Sequence, residues 1–165
     1  MRALLALIAV VACMPAPCLA ASGNASVRNG AAAAQAVTPL VLVHTAGRSI
    51  SFGRFTVGSA GTVVVPITGV ASTTGGVTFV AGSTTSLDRF VASGDPNRLI
   101  GITSSGGTVT SGSNSMAFTT VPMLPAGFIP LTGSGFFTVG GTLSVAAGQA
   151  PGSYNGNYVV SVAYN

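Results

Sequence analysis

The sequence predicts an all-β sandwich, and three features carry that prediction. Glycine is abundant, with 23 residues spread along the chain. Between the glycines lie short runs rich in Val, Thr, Ile and Phe. No long stretch keeps the 3.6-residue apolar period of an amphipathic helix. Short β-favouring runs at regular spacing, punctuated by turn residues, belong to sandwiches and barrels.

The chain opens on residues 1–20, which read as a secretory signal peptide. Arg2 supplies the positive end, residues 3–11 the apolar run, and Cys18 and Ala20 the small side chains behind helix-breaking Pro15 and Pro17. Cleavage after Ala20 would start the mature chain at Ala21 and send it through the periplasm to the cell surface or medium. Val10-Val11-Ala12-Cys13 loosely resembles a lipobox, whose cysteine would be lipidated, but its apolar run is very short. No second apolar run is long enough to span a bilayer. Both cysteines, Cys13 and Cys18, fall inside the signal, so the mature chain is expected to have no disulfide or thiolate chemistry.

Residues 21–36 follow, holding Asn24, Asn29, Gly30 and an alanine run at 31–34 with few large apolar groups. They read as a flexible extension, since so short an alanine run cannot offset the cost of nucleating a helix. Residues 37–165 form one β domain of ordinary size. Its candidate strands are 37–44, 48–57, 62–67, 76–81, 87–92, 99–103, 115–121, 142–146 and 153–164. In the last of these, Tyr154, Gly156, Tyr158, Val160, Val162 and Tyr164 share one face. Asn155, Asn157, Val159, Ser161, Ala163 and Asn165 share the other. Such alternation predicts one buried and one wet face, and a one-residue slip would expose every tyrosine.

Apolar residues make up 48% of the chain and charged residues only 5%. The polar surface must therefore come from Ser, Thr, Asn and backbone, leaving little charge repulsion between copies. After signal removal, five arginines face two aspartates, a formal balance of +3, and lysine and glutamate are absent. The arginines are scattered without aromatic interleaving, which excludes nucleic acid as the partner.

No enzyme chemistry is expected. Ser, His44 and Asp88 or Asp95 could compose a triad only by availability, and no Gly-x-Ser-x-Gly elbow occurs. Asp88 and Asp95, the single carboxylate pair open to a glycosidase, read instead as strand-end and turn residues bonding nearby backbone N–H groups. One histidine and two aspartates cannot surround a metal, and no cofactor is implied. Gly75-Gly76, Gly106-Gly107 and Gly140-Gly141 lack the Lys-Ser/Thr of a phosphate loop and read as turns. Tyr154, Tyr158 and Tyr164 could form a sugar platform, but their spacing fits core better. Asn24-Ala25-Ser26 matches a glycosylation sequon that matters only in a glycosylating host.

Six blocks in order resemble a known family: Ile50-Ser51-Phe52-Gly53-Arg54-Phe55, Gly61-Thr62-Val63, Gly75-Gly76-Val77, Phe90-Val91-Ala92-Ser93-Gly94, Gly140-Gly141-Thr142-Leu143 and Gly152-Ser153-Tyr154-Asn155-Gly156-Asn157-Tyr158. Over residues 37–165 the chain resembles domain of unknown function 4402, a Gram-negative family that looks like fimbrial subunits and spore coat protein U-like domains. The resemblance implies an immunoglobulin-like sandwich. The end of the chain also resembles the β-zipper of chaperone-usher pilins, with Tyr164 penultimate and Gly152 fourteenth from the end. That likeness implies a sandwich lacking one strand, a periplasmic chaperone and outer-membrane usher as partners, and copies of the same or related subunits in a polymer.

The resemblance makes Gly152, Tyr154, Gly156, Tyr158, Val160, Val162 and Tyr164 the assembly strand. It makes the extension the donor, with Ala25, Val27, Asn29, Ala31, Ala33, Gln35 and Val37 on one face. Residues 39–43 are a more apolar donor, but the sandwich needs them as its own first strand. Two functions are expected from this reading: a structural subunit of a fimbria-like filament joined by strand addition, or a monomeric secreted adhesin binding a glycan or matrix ligand.

Overall fold

The computed structural model describes residues 30–123, 126–128 and 133–165. The predicted signal peptide and most of the predicted extension, including Ala25 and Val27, lie outside the described residues. Residues 30–39 carry no strand and are exposed. Eleven strands follow, all antiparallel: β1 (Val41–His44), β2 (Phe55–Val65), β3 (Ser72–Phe79), β4 (Asp88–Ser93), β5 (Leu99–Ser104), β6 (Gly107–Ser111), β7 (Asn114–Pro122), β8 (Ala126–Phe128), β9 (Ser134–Val145), β10 (Asn155–Asn157) and β11 (Val160–Tyr164). Among the described residues no helix occurs, and the chain is the all-β sandwich that its composition predicts.

One sheet runs β1-β4-β9-β7-β6-β10, with β2 joined to β9 and β3 joined to β2, and a second runs β11-β5-β8. The long strand β9 is the hinge of this arrangement. Its first half pairs with β4 and its second half with β2, while β7 lies along its middle. Inward side chains form two clusters. Val63, Val77, Met116, Phe118, Leu143 and Val145 make the first, and Ala92, Ile100, Ile102, Phe137 and Val139 the second. Tyr158 packs against both. Period-two alternation explains the choice: in β9, Phe137, Val139, Leu143 and Val145 face in, while Phe136 and Thr138 face out.

Several predicted boundaries shift, each for a local reason. The first strand begins at Val41 instead of residue 37, because Thr38 gives its carbonyl to the Tyr164 hydroxyl at 2.7 Å instead of to a ladder. Predicted strands 48–57 and 62–67 share a single strand, β2, whose register slips between Val57 and Gly61. Residues 48–54 form no continuous ladder and carry the isolated Ser51–Ser86 bridge. The glycine pairs predicted as turns lie in strands or at a strand start, and of their six residues only Gly75 has positive φ, at 65°. Gly140 and Gly141 sit inside β9 because a side chain there would collide with the Val65 and Thr119 carbonyls of flanking strands. This is why β9 begins eight residues before the predicted strand at 142.

The predicted final strand 153–164 divides into β10 and β11, which pair with β6 and β5 respectively. The ribbon bends at Ser105 and Val159. There the Ser105 N–H donates to the Val159 carbonyl at 2.9 Å, and the Val159 N–H donates to Ser105 Oγ at 3.2 Å. Alternation survives the bend: Tyr154, Tyr158, Val160, Val162 and Tyr164 are all half-buried against the clusters, whereas Gly156 is exposed.

Candidate functional site: a groove between two open strand edges

A groove of about 1060 Å³ separates residues 48–57 from residues 149–158. Its first wall is tied down on one edge only. The Ser51 and Ser86 backbones exchange hydrogen bonds, the Arg54 N–H donates to Ser83 Oγ at 2.7 Å, and Phe55–Val57 pair with Phe79–Val77 of β3. The partner on the other side of β2, β9, reaches only Gly61–Val65. Among the described residues, the edge of Phe55–Val57 that faces the groove therefore has no strand beside it.

The second wall is built the same way. Among the described residues, strand β10 pairs with β6 alone, so its other edge is open as well. The loop before it is closed by Tyr154, whose hydroxyl donates to the Ala150 carbonyl at 2.7 Å and accepts from Gln149 Nε2 at 2.8 Å. At Gly152 the backbone passes close to the Ser111 hydroxyl, which a side chain there would displace.

Val109, Met116, Phe118 and Leu143 form the floor, so the groove reaches the first core cluster directly. Phe52 meets Phe118 edge-on with centroids 5.9 Å apart. Open backbone edges on either side of an apolar floor can template an incoming strand, which would exchange their hydrogen bonds to water for ladder pairing.

One end of the groove is polar. Asp88 is only 4% exposed and is fully engaged: its Oδ1 accepts from the Arg89 N–H and from His44 Nε2, both at 2.7 Å, and its Oδ2 accepts from the Tyr158 hydroxyl at 2.8 Å. Since an ionised carboxylate only accepts, His44 must carry its proton on Nε2. The Tyr158 ring is wedged edge-on between Phe90 and Phe118. Burial holds its hydroxyl well above the ordinary phenol range, and the hydrogen bond to Asp88 and the charge of that carboxylate add to the effect. Among the described residues no Ser or Thr hydroxyl bonds His44, and no group of three His, Cys, Asp or Glu side chains could hold a metal. The trio is a satisfied buried charge that locks β1, β4 and residue 158 together.

The structure brings Gly152, Tyr154, Gly156 and Tyr158 of the predicted assembly strand to this groove. Val160, Val162 and Tyr164 lie elsewhere, against the second cluster, where the Tyr164 hydroxyl also accepts from the Asp95 N–H at 2.7 Å. Ala31, Ala33 and Val37 are exposed and lie in no strand. Sequence reasoning missed the wall at 48–57, which it read as an ordinary strand. It also missed the His44–Asp88–Tyr158 trio, although a single histidine among two acids was a usable signal.

The family model described as Domain of unknown function (DUF4402) matches residues 42–164. No curated protein and no solved structure matches the chain.

Proposed function

This chain belongs to the DUF4402 family, and from that premise we propose that it is an exported structural subunit of a fimbria-like surface filament, joined to its neighbours by β-strand addition. One observation supports the reading above the others: the facing open edges of Phe55–Val57 and Asn155–Asn157, with apolar floor between them. A single extended segment laid there would pair with both edges and shield the half-buried Phe52, Phe55 and Val57 beside the first core cluster. Backbone pairing supplies the affinity in such additions, so the incoming side chains can be small.

The donor in this reading is the extension of another copy, residues 25–37. Its described part is exposed and unpaired, so lending it to a neighbour costs the subunit no core. A periplasmic chaperone and an outer-membrane usher are the partners that would cover the groove before assembly. No catalysis is assigned to the groove.

Deleting residues 21–36 from the full-length protein, expressed with its native secretion partners, tests the donor. Filaments seen by electron microscopy are expected to vanish while the thermal midpoint of the purified subunit stays unchanged. Filaments from the truncated chain would overturn the assignment in favour of residues 39–43.

A further inference from the structure

The chain has two acidic side chains, and both are already paired. Asp88 bonds His44, and Asp95 Oδ2 accepts from Arg98 Nε at 3.0 Å. Arg48 and Arg89 thus have no ion-pair partner among the described residues. Both line a single pocket of about 450 Å³ on the outward face of β4 and β9, bordered by the 66–71 connection between β2 and β3. Two like charges beside one cavity with no counterion favour an anion from outside.

Arg89 is also held in place. Its guanidinium lies 3.9 Å from the centroid of the Phe136 ring, which fixes its plane, yet Phe136 remains 57% exposed. Its Nε is shut off from solvent without a hydrogen-bond partner, and so is Thr45 Oγ1. The two residues adjoin, since the Thr45 N–H donates to the Arg89 carbonyl at 2.9 Å. Unsatisfied buried polar atoms are rare in folded proteins, and these two belong to adjoining residues, of which Arg89 lines the pocket.

We infer that this pocket binds a carboxylate-bearing saccharide, with Arg48 and Arg89 receiving the carboxylate and Phe136 receiving the apolar face of the sugar ring. A guanidinium of fixed plane suits bidentate carboxylate recognition. The Thr85 and Thr138 hydroxyls can meet ring hydroxyls, and Val65, Ile67 and Leu87 line the rest. Pockets of a few hundred cubic ångströms suit small ligands. An inorganic anion would leave the exposed aromatic ring and apolar wall unused. The site stands apart from strand addition, although Arg48 also lines the groove.

Calorimetric titration of the full chain tests it, using a glucuronate-containing disaccharide, the same disaccharide with its carboxyl reduced, and inorganic sulfate. The acidic disaccharide should bind about tenfold more tightly than either control. Arg48→Gln removes an exposed side chain and leaves the fold intact, so it should weaken acidic binding without lowering the thermal midpoint. Phe136→Ser removes both the sugar-facing ring and the support of the Arg89 guanidinium, so it should weaken both disaccharides by a larger factor than it weakens sulfate. Equal affinity for acidic and neutral sugar, sulfate binding as tightly as the disaccharide, or no effect of Arg48→Gln would each overturn the site. Because binding is read on the monomer and assembly by microscopy, either reading can fail without the other.

Discussion

A single buried carboxylate organises the chemistry at residue scale. Asp88 draws His44, Tyr158 and a backbone N–H onto its two oxygens, so three segments distant in sequence meet at one charge. Removing one donor leaves Asp88 buried with an oxygen short of a partner, and hydrogen bonds to charged groups contribute more than neutral ones. Tyr158→Phe is therefore expected to cost about 2 kcal/mol near neutral pH. The pH dependence has a definite sign. The Tyr158 pKa is raised in the folded state, so its stabilisation is complete below the unfolded phenol value of about 10 and declines as pH rises beyond it. Urea unfolding across the alkaline range should show the wild type falling towards the Phe variant; curves that stay parallel would count against the arrangement. Tyr164 is tied differently, through Thr38 and Asp95. Tyr164→Ala should lower stability by about 3 kcal/mol in the same assay, as truncation of a large aromatic does.

At the scale of elements, alternation was readable and partnership was not. The core faces of β4, β5 and β7 follow from period-two patterns of large residues, and the inward tyrosines of residues 154–164 were legible in the same way. That pattern says which face is buried but never which strand lies alongside. The division of the last strand between β6 and β5 was invisible, because the bend at Val159 preserves the parity of every side chain. Glycines misled for a related reason: a pair suits a turn, yet also suits a place where a neighbouring backbone comes too close for a Cβ. Gly75 combines both demands, with φ at 65° and the Ala60 carbonyl where a side chain would go. Gly75→Ala should thus destabilise by about 2 kcal/mol, since it strains the backbone and crowds the register slip in β2. A change within a few tenths of a kcal/mol in chemical denaturation would show the slip to be plastic.

At the scale of the domain the sheets curl far enough that residues 48–57 and β10 face each other, yet among the described residues no strand closes the gap. Low charge is consistent with this, since copies carrying few like charges can approach edge to edge. The groove could not be read from sequence, because it arises where β9 ends at Val145 while β2 continues outward to Phe55, a mismatch of lengths set by three-dimensional pairing. Strand addition makes a direct statement about backbone amides. Those on the open edges of Phe55–Val57 and Asn155–Asn157 exchange freely in the monomer and become hydrogen-bonded once a donor is seated. Amide hydrogen exchange on the refolded monomer and on material assembled with its native secretion partners measures this. Assembled material should show strong new protection at both edges, together with protection in residues 30–37. Assembly that leaves both edges exchanging as in the monomer, or a full-length chain that stays monomeric beside those partners, would contradict the account.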